Sequence, residues 1–139
     1  MSINQIFDIA GSGLAAQRLR VQLISSNIAN SETTRTKAGG PYRRREAVFQ
    51  AQEGGFGDTL AAVGVQVAGV RTSNDPFITR YQPGHPDADA NGMVQYPNVD
   101  PVAEMVDLTE ASRSYEANVA VVRAAKGMAA SALEILRVQ

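Results

Sequence analysis

All six prolines and nine of the twelve glycines fall between Thr36 and Pro101, a distribution that constrains this 139-residue chain more than any other feature. Proline removes an amide donor and clashes with the preceding helical turn, and glycine costs a helix about 1 kcal/mol relative to alanine. Long helices are therefore expected only at the two ends, with an irregular or β-rich stretch between them. The expected class is α+β: long N- and C-terminal helices packed as a coiled-coil-like pair, with a small β-rich module inserted. Residues 1–35 and 101–139 form the helical part, and 36–100 the module.

Both ends carry a seam. Ile3, Phe7, Ala10, Leu14, Gln17, Val21, Ile24 and Ile28 are spaced alternately four and three apart, and seven of the eight are apolar. Met105, Leu108, Ser112, Tyr115, Val119, Val122, Lys126, Ala129, Leu133 and Leu136 repeat that spacing. A 3.5-residue repeat aligns such positions in one stripe of a supercoiled helix. Asp100 suits the N-cap and Pro101 the first helical position, so the second helix is expected from Pro101 to about Arg137. Gly11 and Gly13 weaken the first helix. Two readings follow: an ordinary hairpin of two helices, or one unit of a larger helical assembly. A lone helical hairpin has no compact core. The flank of Ala111, Ala125, Ala132 and Ile135 is expected to stay wet unless neighbours cover it.

Within the middle, residues 42–50, 63–71, 77–81 and 93–96 are short, β-prone runs bounded by turn residues, which predicts a small sheet of three to five strands. Three phenylalanines and three tyrosines over this stretch make a thin core that needs support from the helices.

Composition excludes several classes of chemistry. Thirteen basic and fourteen acidic residues give a net charge of -1, unlike a general nucleic-acid binder. No cysteine is present, so thiolate metal sites and disulfides are ruled out. His85 is the sole histidine, and no nucleophile motif surrounds it, so nothing assembles an enzyme; no cofactor is expected. No apolar run is long enough to span a membrane, and the N-terminus does not resemble a cleaved secretory signal. Asp87, Asp89, Asn91 and Gly92 match the first half of a calcium loop, but Asn98 stands where a bidentate glutamate is required. A soluble monomeric calcium-binding module using residues 84–92 is the alternative reading. Arg43, Arg44 and Arg45 read as solvated strand residues helped by Glu46, as a phosphate contact, or as cations reaching carboxylates of an adjacent subunit.

Two long segments point to a family. Residues 25–49 read SSNIANSETTRTKAGGPYRRREAVF, and residues 96–135 read YPNVDPVAEMVDLTEASRSYEANVAVVRAAKGMAASALEI, with HPDADANG between them. Together they closely resemble the bacterial flagellar basal-body rod proteins, over essentially the whole chain. The Ser-x-Asn-Ile-Ala-Asn helix ending is shared with rod and hook proteins generally; GGPYRRR, HPDAD and YPNV point to the proximal rod.

That resemblance implies a structural subunit of the torque-transmitting drive shaft, assembled as a tube around an export channel. It implies terminal helices that pack on each other and on neighbours, through Ile3, Phe7, Leu14, Val21, Ile24 and Ile28 on one side. On the other side the contacts are Met105, Leu108, Tyr115, Val119, Val122, Leu133 and Leu136. Asn27 and Asn30 match the family's helix-end motif. The implied partners are copies of the chain, the rod proteins FlgB, FlgF, FlgG and FliE, and the flagellar type III export apparatus, with residence in the basal body and export without a cleaved signal.

Overall fold

The computed structural model describes residues 3–52 and 64–137. Helix α1 spans Ile3–Ala29 and helix α2 spans Pro101–Arg137. Between them lie four strands: β1, Arg45–Ala51; β2, Val65–Thr72; β3, Ile78–Tyr81; and β4, Met93–Tyr96. The α+β class and the flanking helices are as the sequence predicts.

Each helix ends where its side chains say it should. Helix α1 stops at Asn30, whose backbone N–H and side-chain Nδ2 both donate to the Ser26 carbonyl, at 3.1 and 2.8 Å. Helix α2 starts at Pro101 because Asp100 caps it: its Oδ1 accepts from the amides of Val102 at 2.9 Å and Ala103 at 3.4 Å. Such a cap satisfies amides that have no partner in the first turn and contributes about 1 kcal/mol.

The helices run antiparallel. Asn27 meets Glu104, Arg20 lies 3.9 Å from both Asp107 and Glu110, and Gly13 lies against Asn118. A Cβ built on Gly13 would stand 3.0 Å from Asn118 Nδ2, so the absent side chain makes room for the Asn118 amide there. Extending that register places Ile3 level with about Met128, and the last two turns of α2 run past the start of α1.

Close approach shifts the seam on α2. The buried positions are Glu104, Ala111 and Ala125, with Leu108, Asn118, Val122 and Ala129 half-buried beside them. Of the predicted stripe, Leu108, Val122 and Ala129 therefore face α1, whereas Met105, Tyr115 and Leu133 are exposed at 55%, 38% and 65%. The expectation that Ala111 and Ala125 lie on a wet flank is corrected: both are fully buried, while Ile135 of that flank is 71% exposed. The cause is size. Alanine fits where α2 lies directly against α1, and the larger apolar side chains are displaced to the sides.

The middle departs from the single sheet expected. Strands β1 and β2 form one antiparallel ribbon, with Arg45 opposite Thr72, Ala51 opposite Val65, and a bulge between Val48 and Phe49. Strands β3 and β4 form a second, with Ile78 opposite Tyr96 and Tyr81 opposite Met93. The intervening 73–77 stretch is held by Arg43, whose Nη1 donates to the carbonyls of Ser73 and Asp75, so the chain leaves the first ribbon without extending it. Tyr42 and Phe77, expected in strands, lie just before β1 and β3; Val63 lies outside the described residues, as do the side chains of Ile3 and Leu136.

The two ribbons relate differently to the helices. The first is anchored on α1 at its far end, where the Val65 amide donates to Ser12 Oγ at 3.0 Å. The second buries Val94 completely, and Tyr96, Pro97 and Val99 continue that core into the start of α2. Its loop turns at Gly92, whose φ of 73° is a left-handed conformation suited to glycine.

Candidate assembly interface

The point where α1, β1 and α2 meet is a polar hub around Asn27. This residue is 1% exposed, and its single planar amide is fully used. Nδ2 donates to the Arg45 carbonyl at 2.9 Å and to Glu104 Oε2 at 3.0 Å; Oδ1 accepts from the Arg45 amide at 3.0 Å and the Tyr42 hydroxyl at 2.9 Å. Asn27 thus pairs with both backbone groups of Arg45 as a neighbouring strand would, and starts β1 from the end of a helix. Leucine offers neither function and aspartate only acceptors.

Glu104, also 1% exposed, carries the hub's charge. Its Oε1 accepts from Arg44 Nε at 2.5 Å. Arg44 also binds Glu46 and lies 3.6 Å from Asp107, and Arg71 reaches Glu46 across the ribbon at 2.6 Å. A buried carboxylate persists only when paired and hydrogen-bonded, and here it has both. Arg44 therefore has three carboxylate partners inside the chain. Arg43 and Arg45 have no intrachain carboxylate partner among the described residues.

Arg43 and Arg45 instead sit on aromatic rings, 4.3 Å from the Phe77 centroid and 5.7 Å from that of Tyr42. Asn30 is half-buried; besides Ser26 it binds Thr33, whose Oγ1 donates to Asn30 Oδ1 at 3.2 Å, so it shapes the turn rather than the hub.

The loop at 84–92 is a braced turn. Asp87 Oδ2 accepts from Thr34 Oγ1 at 2.8 Å and its other oxygen faces Arg35 at 3.6 Å. Asp89 Oδ1 accepts from the amides of Asn91 and Met93. His85 Nδ1 accepts from the Asp87 amide. These carboxylates are directed to separate partners, and the calcium reading finds no support.

The two helices dispose their apolar side chains differently. In α1, Ile24 is buried at 6%, and Phe7, Leu14, Val21 and Ile28 are half-buried. In α2, apolar side chains flank the intrachain seam and point to solvent: Val102, Met105 and Val106 near its start, Val121, Met128, Leu133 and Ile135 toward its end. The midpoint of the outer face, with Glu110, Arg113 and Glu116, is charged. These side chains leave apolar area open at both ends of α2. The sequence reading missed Glu104 because it stands one residue before the predicted stripe, which begins at Met105, and its partner Asn27 is 77 residues away. No described helix is long and apolar enough to cross a membrane.

The comparisons with known proteins agree with one another. The family model for flagella basal body rod protein matches residues 7–37, which include Asn27, and that for flagellar basal body rod FlgEFG protein C-terminal matches residues 90–135, which include Glu104. Flagellar basal-body rod protein FlgC of Salmonella typhimurium is 47% identical over 128 residues, covering 92% of this chain and 93% of its own. That of Bacillus subtilis is 43% identical over 141 residues (92% and 94%), and that of Borreliella burgdorferi 41% over 151 residues (99% of each).

Proposed function

The chain belongs to the flagellar basal-body rod protein family, of the FlgC type, and is a structural subunit of the rod; from that premise we propose that it assembles through its terminal helices into the tube around the export channel and transmits torque. Residues 1–35 and 101–139 line the tube, and 36–100 lie outside. The observation that supports this most directly is the pair of apolar clusters left open on α2: Met105 and Val106 at 55% and 64% exposed, Leu133 and Ile135 at 65% and 71%. Burying such side chains contributes about 1.5–3 kcal/mol each, enough in repeated contacts to hold an assembly together.

In this reading the neighbours are other copies, FlgB, FlgF, FlgG and FliE. The subunit reaches the periplasmic part of the basal body through the flagellar type III export apparatus, without a cleaved signal peptide. Seam residues divide by role: Ile24, Leu14, Val21, Leu108 and Val122 hold the helix pair together, and Met105, Tyr115 and Leu133 meet neighbours.

The test uses exposed positions, because Ile24→Asp would unfold the subunit itself. Met105→Asp and Leu133→Asp are expected to leave the thermal midpoint of the dilute chain unchanged and to abolish rod assembly, read by isolating basal bodies from cells carrying each variant. Complete rods in both strains would refute assembly through α2.

A further inference from the structure

Beside the turn that follows α1 lies a cleft of about 570 Å³, lined by residues 36–43, Arg45, Thr72 and Phe77. Lys37, Arg43 and Arg45 contribute three cations, and no carboxylate lines it. The turn is fixed: the Thr36 amide donates to the Gly40 carbonyl at 2.9 Å and the Gly39 amide to the Thr36 carbonyl at 3.0 Å, with φ of 86° at Gly39 and 72° at Gly40. Two of the three cations are already positioned, Arg43 over Phe77 and Arg45 over Tyr42. Lys37 has no hydrogen bond or ion pair with any described residue.

Four other arginines are matched to acids: Arg44 to Glu46, Glu104 and Asp107, Arg71 to Glu46, Arg20 to Asp107 and Glu110, and Arg35 to Asp87; Arg18, Arg80, Arg113 and Arg123 have no acid partner among the described residues but do not line this cleft. Of the acids near the rim in sequence, Glu46 is taken by Arg44 and Arg71, and Asp75 has its Oδ2 engaged by Ser73 Oγ at 2.6 Å. A concave site carrying three cations with no internal counter-charge, two of them held against rings, has little freedom left to lose on binding an anion.

We propose that this cleft receives an acidic segment of a neighbouring rod subunit; the proposal rests on the rod reading and names a partner chemistry for it. Guanidinium groups on fixed stems suit carboxylates, which they can engage in pairs. A nucleic-acid strand fits less well. The chain's net charge is -1, the Tyr42 ring is 7% exposed with its hydroxyl in the hub, and the Phe77 face is covered by Arg43, so no ring is free for a base to stack on. Acids without an intrachain cation, such as Glu116 and Glu134 on α2, are displayed on every copy.

The experiment compares the full chain with its Lys37→Glu/Arg45→Glu variant, using a hexaglutamate peptide as probe. Wild type is expected to bind hexaglutamate at low ionic strength and not hexalysine; the variant is expected to bind it at least about tenfold more weakly, with wild-type binding lost in high salt. Equal binding by both proteins would overturn the proposal, and so would a single-stranded oligonucleotide that binds wild type more tightly than the peptide. In cells, the variant is expected to stop rod assembly while its thermal midpoint stays at the wild-type value. Should the double change lower that midpoint, Lys37→Glu alone, at an exposed and unpartnered side chain, repeats the comparison. Normal rods with the variant would reject the cleft as a docking site and leave the rod reading to the Met105→Asp and Leu133→Asp test.

Discussion

A single side-chain amide joins three elements in this molecule. Asn27 satisfies the backbone of Arg45, the hydroxyl of Tyr42 and the carboxylate of Glu104 at once. Asn27→Ala leaves those groups buried without partners and is expected to lower stability by about 3 kcal/mol, read as a shift in urea midpoint. Asn27→Asp is expected to be worse, since two carboxylates would then face each other across the 3.0 Å now spanned by a hydrogen bond. Adding Glu104→Gln restores one amide and one carboxylate, so the double variant is expected to recover most of the loss. A double variant no more stable than Asn27→Asp would show that the Asn27–Glu104 contact does not couple the two residues. Arg44→Met strands the Glu104 charge and is expected to cost about 3–5 kcal/mol, whereas Arg44→Met with Glu104→Met, which removes both charges, is expected to cost less.

At the scale of elements, packing distance decides which residues a helix buries. Gly11 and Gly13 look alike in sequence and differ in place. A Cβ at Gly11 would meet nothing within 4 Å, and one at Gly13 would press on Asn118. Gly11→Ala is therefore expected to stabilise by about 1 kcal/mol, in thermal melts, while Gly13→Ala loses that gain to the displaced amide, and Gly13→Val separates the helices. The same contrast explains what could be read from the sequence. Helix ends were legible because Asp100, Pro101 and Asn30 act locally, on backbone groups within four residues. Strand positions were legible to within a few residues for the same reason. The seam on α2 was legible only in part, since the choice of Ala111 and Ala125 over Met105 and Tyr115 depends on how near α1 comes, which no window of α2 contains. Arg44 was placed among three arginines of equal standing; only its pairing with a glutamate 60 residues away separates it from Arg43 and Arg45.

For the whole molecule, the two helices differ in length, 27 residues against 37, and the excess lies at the C-terminal end of α2. Protection from hydrogen exchange in the dilute chain is expected to be high over residues 104–125 and to fall beyond residue 129, where α1 no longer runs alongside; on assembly the last turns should gain protection. Uniform protection along α2 in the dilute chain would mean that the overhang needs no neighbour. The hub has a mechanical consequence as well. A shaft under torsion loads its parts in shear, and an alanine seam yields to shear gradually, because apolar contacts re-form as surfaces slide. The bonds of Asn27 do not: they are directional, share one rigid group, and must break together. Load passing between the first ribbon and the helices crosses Arg45, Asn27, Glu104 and Arg44 at one end and the Val65–Ser12 bond at the other. The joint is therefore stiff up to a limit and brittle beyond it, and that limit is set at Asn27 and Glu104, each 1% exposed.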